Sequence, residues 1–181
     1  VYKLTELDDT EHLFRPGMNV ADLGSAPGSW TQIVRERLTD KNGELKGRII
    51  AMDILPMEPI DGVTFLQGDF REQEVADKLN EILGGDKLDV VISDMAPNLS
   101  GIAMVDANAS LLLNELALDF AVEHLKPEGV FVTKAFQGSG YSQFIENCKK
   151  HFVSVAQRKP EASRNSSAEM YVRSAFERLL R

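Results

Sequence analysis

Asp22-Leu23-Gly24-Ser25-Ala26-Pro27-Gly28-Ser29-Trp30 is the stretch on which the fold turns. It follows Met18-Asn19-Val20-Ala21, so a short strand runs into a loop of small residues, and helical spacing begins near Ser29. Small residues let backbone N–H groups come close to a ligand, and a helix N-terminus adds a positive dipole end. The loop therefore reads as a cofactor turn. A dinucleotide turn needs G-x-G-x-x-G so that a pyrophosphate can rest on the helix start. Here the spacing is G-x-x-P-G, with rigid Pro27 and bulky Trp30 where a phosphate would need room. The loop suits a nucleoside cofactor without a pyrophosphate, and its spacing argues against a nicotinamide dehydrogenase.

Outward from this loop, apolar runs alternate with helical patterns. Strands are predicted over 20–23, 47–52, 63–66, 88–93 and 130–135, and helices over 30–38, 72–83, 107–125 and 141–150. Pro127 and Gly129 are expected to stop the third helix. Two late strands, 151–158 and 170–176, read as an antiparallel pair. The alternation predicts a doubly wound α/β fold, a mostly parallel seven-stranded sheet with helices on both faces. Most of the early strands are apolar throughout, as burial on both faces of a parallel sheet requires. No linker or repeat interrupts the pattern, and residues 1–181 are read as a single domain.

In such sheets a ligand lies beyond the carboxyl ends of the strands, where strand order reverses. The first strand ends at Asp22 and the glycine loop, the second at Asp53, the third at Gly68-Asp69-Phe70, the fourth at Asp94 and the fifth at Lys134. Acids thus stand at four strand tips and a lysine at the fifth. Asp53 can accept both ribose hydroxyls of a nucleoside; its competing role is a turn or helix cap. Asp69 can accept an exocyclic amine of adenine, with Phe70 packed nearby, or cap the following helix. Trp30 is either a wall of the site or a core anchor. Lys134 closes a buried strand, where an ammonium must be paired; a structural ion pair competes with a catalytic role. Pro97 is expected to stiffen the turn after Asp94, and Met104 to Asn108 to form a flexible rim. His12, His124 and His151 read as surface or helix-end residues, and Cys148 as a packed helix residue.

Composition narrows the classes. With 43% hydrophobic and 27% charged residues the chain is an ordinary globular domain. No apolar run approaches membrane-spanning length, and no signal peptide opens the sequence. A single Cys148 excludes an internal disulfide, and no Cys/His cluster has metal-ligand spacing. A reducing, cytoplasmic setting, no metal and no membrane contact are expected. The net charge of −8 is unfavourable for binding phosphates, but residues 158–181 hold six basic and three acidic residues, leaving −11 on the remainder. That tail is expected either to offer a basic face or to be ordinary solvated surface.

At this point the chain resembles the FtsJ/RrmJ family of S-adenosylmethionine-dependent RNA ribose 2′-O-methyltransferases. The resemblance covers nearly the whole chain. It rests on Tyr2-Lys3-Leu4 with Glu6, Phe14 to Met18, Asp22 to Trp30, Leu66 to Arg71, Ser93 to Asn98, Lys134 to Gly138, Arg158-Lys159-Pro160 and Ser163-Arg164. The match looks like the bacterial branch acting on 23S ribosomal RNA. It implies a Rossmann-like methyltransferase fold and a catalytic tetrad of Lys3, Asp94, Lys134 and Glu169. It also implies a cofactor site of Gly24, Ser25, Pro27, Gly28, Trp30, Asp53, Asp69 and Asp94. The implied partner is ribosomal RNA in the large subunit, met by a monomer. Ser29 stands where many members have a second glycine. The chain opens on Val1 and is expected to be a fragment lacking the family's basic leading segment. The implied reaction moves a methyl group to a uridine 2′-hydroxyl, with Lys134 either taking the hydroxyl proton or orienting the hydroxyl. A non-enzymatic RNA-binding or assembly module and a small-molecule or protein methyltransferase are the rival readings.

Overall fold

The computed structural model describes residues 2–95, 100–161 and 168–177. The elements run α1 (Tyr2–Glu11), β1 (Asn19–Leu23), α2 (Ser29–Leu38), β2 (Arg48–Asp53), β3 (Val63–Gln67), α3 (Gln73–Leu83) and β4 (Leu88–Ser93). They continue with α4 (Ala103–His124), β5 (Leu125–Phe136), α5 (Tyr141–His151), β6 (Ser154–Arg158) and β7 (Glu169–Ala175).

The seven strands form one sheet in the order β3-β2-β1-β4-β5-β7-β6. β1 pairs in parallel with both β2 and β4, and β4 pairs in parallel with β5. β7 is antiparallel to both of its neighbours, β5 and β6. Strand order therefore reverses at β1/β4, which puts the switch point beside the Gly24 loop. Each face of the sheet is covered. One buried cluster joins Val20, Ile49, Ile92, Val132 and Tyr171 to residues of α1 and α2. The other joins Ala21, Ile50, Val91, Phe131 and Val172 to α3, α4 and α5. Alternate residues of each strand feed the two clusters, as a pleated sheet dictates.

Several boundaries differ from the sequence reading. α1 was not anticipated. α4 begins at Ala103, so Met104 to Asn108 are its first turns rather than a rim, held at the start by Asp106, which accepts N–H bonds from Ser100 and Gly101. α4 ends at His124, and Pro127 and Gly129 lie inside β5, where the register against β4 shifts between Leu88 and Val90. A proline lacks a ladder donor and is tolerated at such an irregularity. α5 runs through His151, which delays β6 to Ser154. Of the two readings for His124, surface or helix end, the second holds: it is the last residue of α4 and is buried, its ring 4.4 Å from that of Phe120, and burial lowers its pKa. Pro97, Asn98, Ser163 and Arg164 lie outside the described residues.

Candidate active site

The loop after β1 is shaped by its own backbone. Gly24 N–H donates to the Met52 carbonyl at 2.8 Å, and Ser25 N–H to the same oxygen at 3.2 Å. These bonds tie the loop to the tip of β2. Gly24 has φ +70°, and a Cβ there would stand 2.3 Å from Met95 Cγ. Only glycine combines that conformation with that approach. The Ala26–Pro27 peptide is cis. Gly28 caps α2 at φ +122°, and its carbonyl accepts the Gln32 N–H at 3.0 Å.

Beside this loop lies an open cleft lined by Gly24, Asp53, Asp69, Phe70, Met95 and Leu116 among others. Two strand-tip carboxylates face it. Asp53 accepts the Ala26 N–H at 2.8 Å on Oδ2 and the Leu55 N–H at 3.0 Å on Oδ1, so it braces the glycine loop and keeps further lone pairs. Asp69 does not cap α3, whose N-cap is Glu72. It is gripped instead by Arg71, with Nη2 2.5 Å from Oδ2, and that hydrogen bond holds the Asp69 carboxyl below the usual carboxylate range. An ionised acceptor thus stands at the tip of β3. Aromatic and aliphatic walls with a few fixed carboxylates make a site for an adenosine-sized ligand.

Asp22 and Ser25 lie beneath the loop. Asp22 Oδ2 accepts the Thr31 hydroxyl at 2.7 Å, while Asp22 Oδ1 and the Ser25 hydroxyl are buried without a hydrogen-bond partner. Burial pushes the Asp22 carboxyl up to about 7; the Thr31 bond opposes this and the Asp94 and Asp53 charges reinforce it. The unfolded chain ionises this group near 3.8. Between those values the folded state holds the extra proton, so stability falls as pH rises from about 4 to 7. Asp22→Asn keeps an acceptor for Thr31 and removes the titration. Its melting temperature is expected to gain on the parent's between pH 5 and pH 8, read by thermal melts at both; equal offsets would contradict this origin.

The second half of the site lies on the face covered by α1 and α2. Lys134, near the end of β5, sits opposite Tyr171 of β7, and Phe136 sits opposite Glu169. Lys134 Nζ is 3.1 Å from Asp94 Oδ1 and 5.5 Å from the Phe136 ring centre. Its side chain is only 12% exposed, which fits the expectation that an ammonium here must be paired. Lys3, in the first turn of α1, donates to Glu169 Oε2 at 2.5 Å. The Asp94 carboxyl is raised by burial, opposed mainly by Lys134, and feels both Glu169 and Lys3. The four side chains therefore form one electrostatic cluster, and Met95 joins it to the cleft.

Trp30 is placed in the core. It is 6% exposed and lies 5.8 Å, ring centre to ring centre, from Tyr171. Tyr171 itself was missed: burial, with Asp94 and Glu169 nearby, raises its hydroxyl well above the ordinary range. The alternation 169, 171 on one strand face was the signal that could have found it. Lys159 was noted only as part of a motif; its Nζ donates to the Glu169 carbonyl at 2.7 Å and fixes the start of β7. The basic tail is corrected in part. Arg173 is buried and Arg158 and Arg173 both engage Glu11, because a cation on the inner face of β7 requires an anion. Arg178 and Arg181 lie outside the described residues.

This strand order, with the last strand reversed and a nucleoside-sized cleft at the switch point, defines a Rossmann-like methyltransferase fold. A structure of a protein assigned as a ribosomal RNA methyltransferase from Plasmodium falciparum superposes with a TM-score of 0.83 at 31% identity, covering 96% of this chain and 94% of that one. The FtsJ-like methyltransferase model matches residues 1–175. Ribosomal RNA large subunit methyltransferase E of Cupriavidus necator is 52% identical over 179 residues, spanning 94% of this chain and 81% of that protein. The enzyme of the same name from Paracidovorax citrulli is 55% identical over 174 residues, with 94% and 80% covered. The chain belongs to the FtsJ-like methyltransferase family.

Proposed function

We propose that this chain transfers a methyl group from S-adenosylmethionine to the ribose 2′-hydroxyl of a uridine in 23S ribosomal RNA, acting on the large ribosomal subunit. The observation that carries this is the convergence of the Lys134–Asp94 and Lys3–Glu169 pairs beside a nucleoside-sized cleft. The names of the close relatives support the substrate. The cleft fits the donor: Asp53 suits the ribose, Asp69 the adenine amine, and Gly24 leaves no room for a side chain. Ser25, Pro27, Gly28 and the first turn of α2 at Trp30 shape the loop above it. When bound, S-adenosylmethionine supplies a methyl group already activated for transfer.

The chain's own residues must place a nucleophile and deal with one proton. The hydroxyl oxygen forms a bond to the methyl carbon as the methyl–sulfur bond breaks, and the hydroxyl proton leaves. Lys134 takes it as the neutral amine and so becomes the ammonium that Asp94 pairs with. Asp94 holds the Lys134 nitrogen in place, and Lys3, anchored by Glu169, orients the incoming ribose. Holding both reactants in line supplies several kcal/mol of the acceleration. The target nucleotide is expected to be unpaired or splayed out, so that its ribose can reach the Lys134–Asp94 pair.

Incubation with tritium-labelled S-adenosylmethionine and unmodified large subunits, free 23S RNA or protein extract tests the reading. Label is expected on a uridine ribose of the RNA. Label in protein would favour a protein methyltransferase, and subunit binding without label a non-catalytic assembly module. RNA affinity is expected to fall steeply as salt rises; a flat response would remove phosphate contacts from the account. We read residues 1–181 as one domain acting as a cytoplasmic monomer without a metal. Among the described residues no helix is long and apolar enough to cross a membrane. Nor, among them, do three or more His, Cys, Asp or Glu gather to hold a metal ion.

A further inference from the structure

α1 carries Lys3, yet little in its sequence makes it a stable helix. It has ten residues, shorter than helices that persist alone in water; Leu4 and Leu7 enter the apolar core, and buried Asp8 pairs with Arg37 of α2. Its position is set by what it docks on. Lys3 meets Glu169 at the start of β7. At the other end Glu11, its carboxylate only 3% exposed, meets Arg158 of β6 and lies 3.4 Å from Arg173 of β7.

Glu169, Tyr171 and Arg173 alternate along one face of β7, the face that α1 and α2 cover. The span from Glu169 to Arg173 is about 13 Å along a strand, and that from Lys3 to Glu11 is about 12 Å along a helix. The helix thus lies lengthwise beside β7 and is tied at both ends. The two ties have opposite polarity: cation on helix at one end, anion on helix at the other. Reversing the helix, or sliding it by a turn, would bring like charges together or draw the Glu11 carboxylate away from buried Arg173. A buried guanidinium stripped of its anion is costly, so the inner tie enforces register.

We infer that Glu11, through Arg158 and Arg173, is a positioning residue that sets where the Lys3 amine stands over Glu169 and the acceptor ribose. The inference rests on the proposed role of Lys3 in methyl transfer. Glu11 touches no reacting atom; it acts by fixing the axial position of the helix. A displacement of about 1 Å at a reacting group can cost about 100-fold in rate, and one end of a short helix cannot shift without the other.

The test uses the full chain, with unmodified large subunits as acceptor, at a temperature where circular dichroism shows each variant folded. Glu11→Gln is expected to lower kcat by about 10- to 100-fold while leaving KM for S-adenosylmethionine within about twofold. Lys3→Ala should lower kcat comparably, and Glu11→Gln added to Lys3→Ala should cost nothing further, because both remove the same interaction. Hydrogen exchange should quicken across α1 in Glu11→Gln and stay unchanged in α2. Wild-type kcat in folded Glu11→Gln, losses that multiply in the double variant, or unaltered exchange in α1 would each overturn the inference. Failure of the underlying reading looks different: Lys3→Ala would then keep full activity although α1 exchange still responds to Glu11→Gln.

Discussion

Lys134→Ala should abolish methyl transfer while leaving the protein folded and able to bind its donor. Lys134 closes β5, is largely buried, and has Asp94 as its ion-pair partner at 3.1 Å. Removing a group that handles a proton in the rate-limiting step costs about 10²- to 10⁴-fold. We expect a loss of about 10³-fold in kcat or more, with donor affinity changed by no more than about threefold. The cleft proposed for the adenosine is built mainly from the tips of β1, β2 and β3 and from α4, and it borders the Lys134–Asp94 pair through Met95. Asp94 responds to the loss. Its carboxyl is already raised by burial, and without the Lys134 charge it rises further and takes up a proton at higher pH, which softens the cost of leaving it unpaired. Single-turnover assays beside calorimetric titration of the donor separate the two quantities. Equal losses in rate and affinity would make Lys134 a cofactor-binding or structural residue.

The second large effect belongs to Gly24. Gly24→Ala places a methyl group 2.3 Å from Met95 Cγ and holds an L-residue at φ +70°. The backbone conformation alone costs about 1 kcal/mol. The clash displaces Met95 in the very cleft that would receive the donor, so affinity is expected to fall by about 10- to 100-fold, a loss of about 1.4 to 3 kcal/mol. Gly43 provides the control. It has φ +79° but nothing within 4 Å of its added Cβ, and it lies in the turn between α2 and β2. Gly43→Ala should show a similar loss of stability with unaltered donor binding. If both variants bind the donor equally well, the close approach of loop and Met95 has no part in recognition.

The parallel strands were legible because each is a short apolar run bounded by a glycine or acid, and the tips of the first three border the cleft beside the Gly24 loop. The reversal of strand order between β1 and β4 was not legible, because apolar runs do not say which strands are neighbours. α1 was not legible, because two inward leucines make too short a stripe to show a helical period, and its helicity comes from docking rather than propensity. The early start of β5 was hidden by Pro127 and Gly129, which usually break an element but here sit where the ladder is irregular. The tail misled most. Arg158 and Arg173 were counted as part of a possible outward basic face, yet they face inward to a glutamate 147 residues or more away in sequence. Composition records how many charges a segment holds and says nothing of which way a strand presents them. Of the tetrad, Asp94 and Lys134 could be picked out as strand ends, whereas Lys3 and Glu169 came only through family likeness, since no local pattern marks them.

The reversed last strand has a consequence for how the enzyme comes into being. β7 is the last strand among the described residues and is made after β5 and β6, yet its place is between them. Until it inserts, the sheet has a gap, Lys134 has Asp94 at the tip of β4 but not Tyr171 across from it, and Lys3 of α1 lacks Glu169. A growing chain therefore holds the cleft beside the Gly24 loop before the Lys3–Glu169 pair can form, and the cluster of Lys3, Asp94, Lys134 and Glu169 is complete only when β7 pairs between β5 and β6.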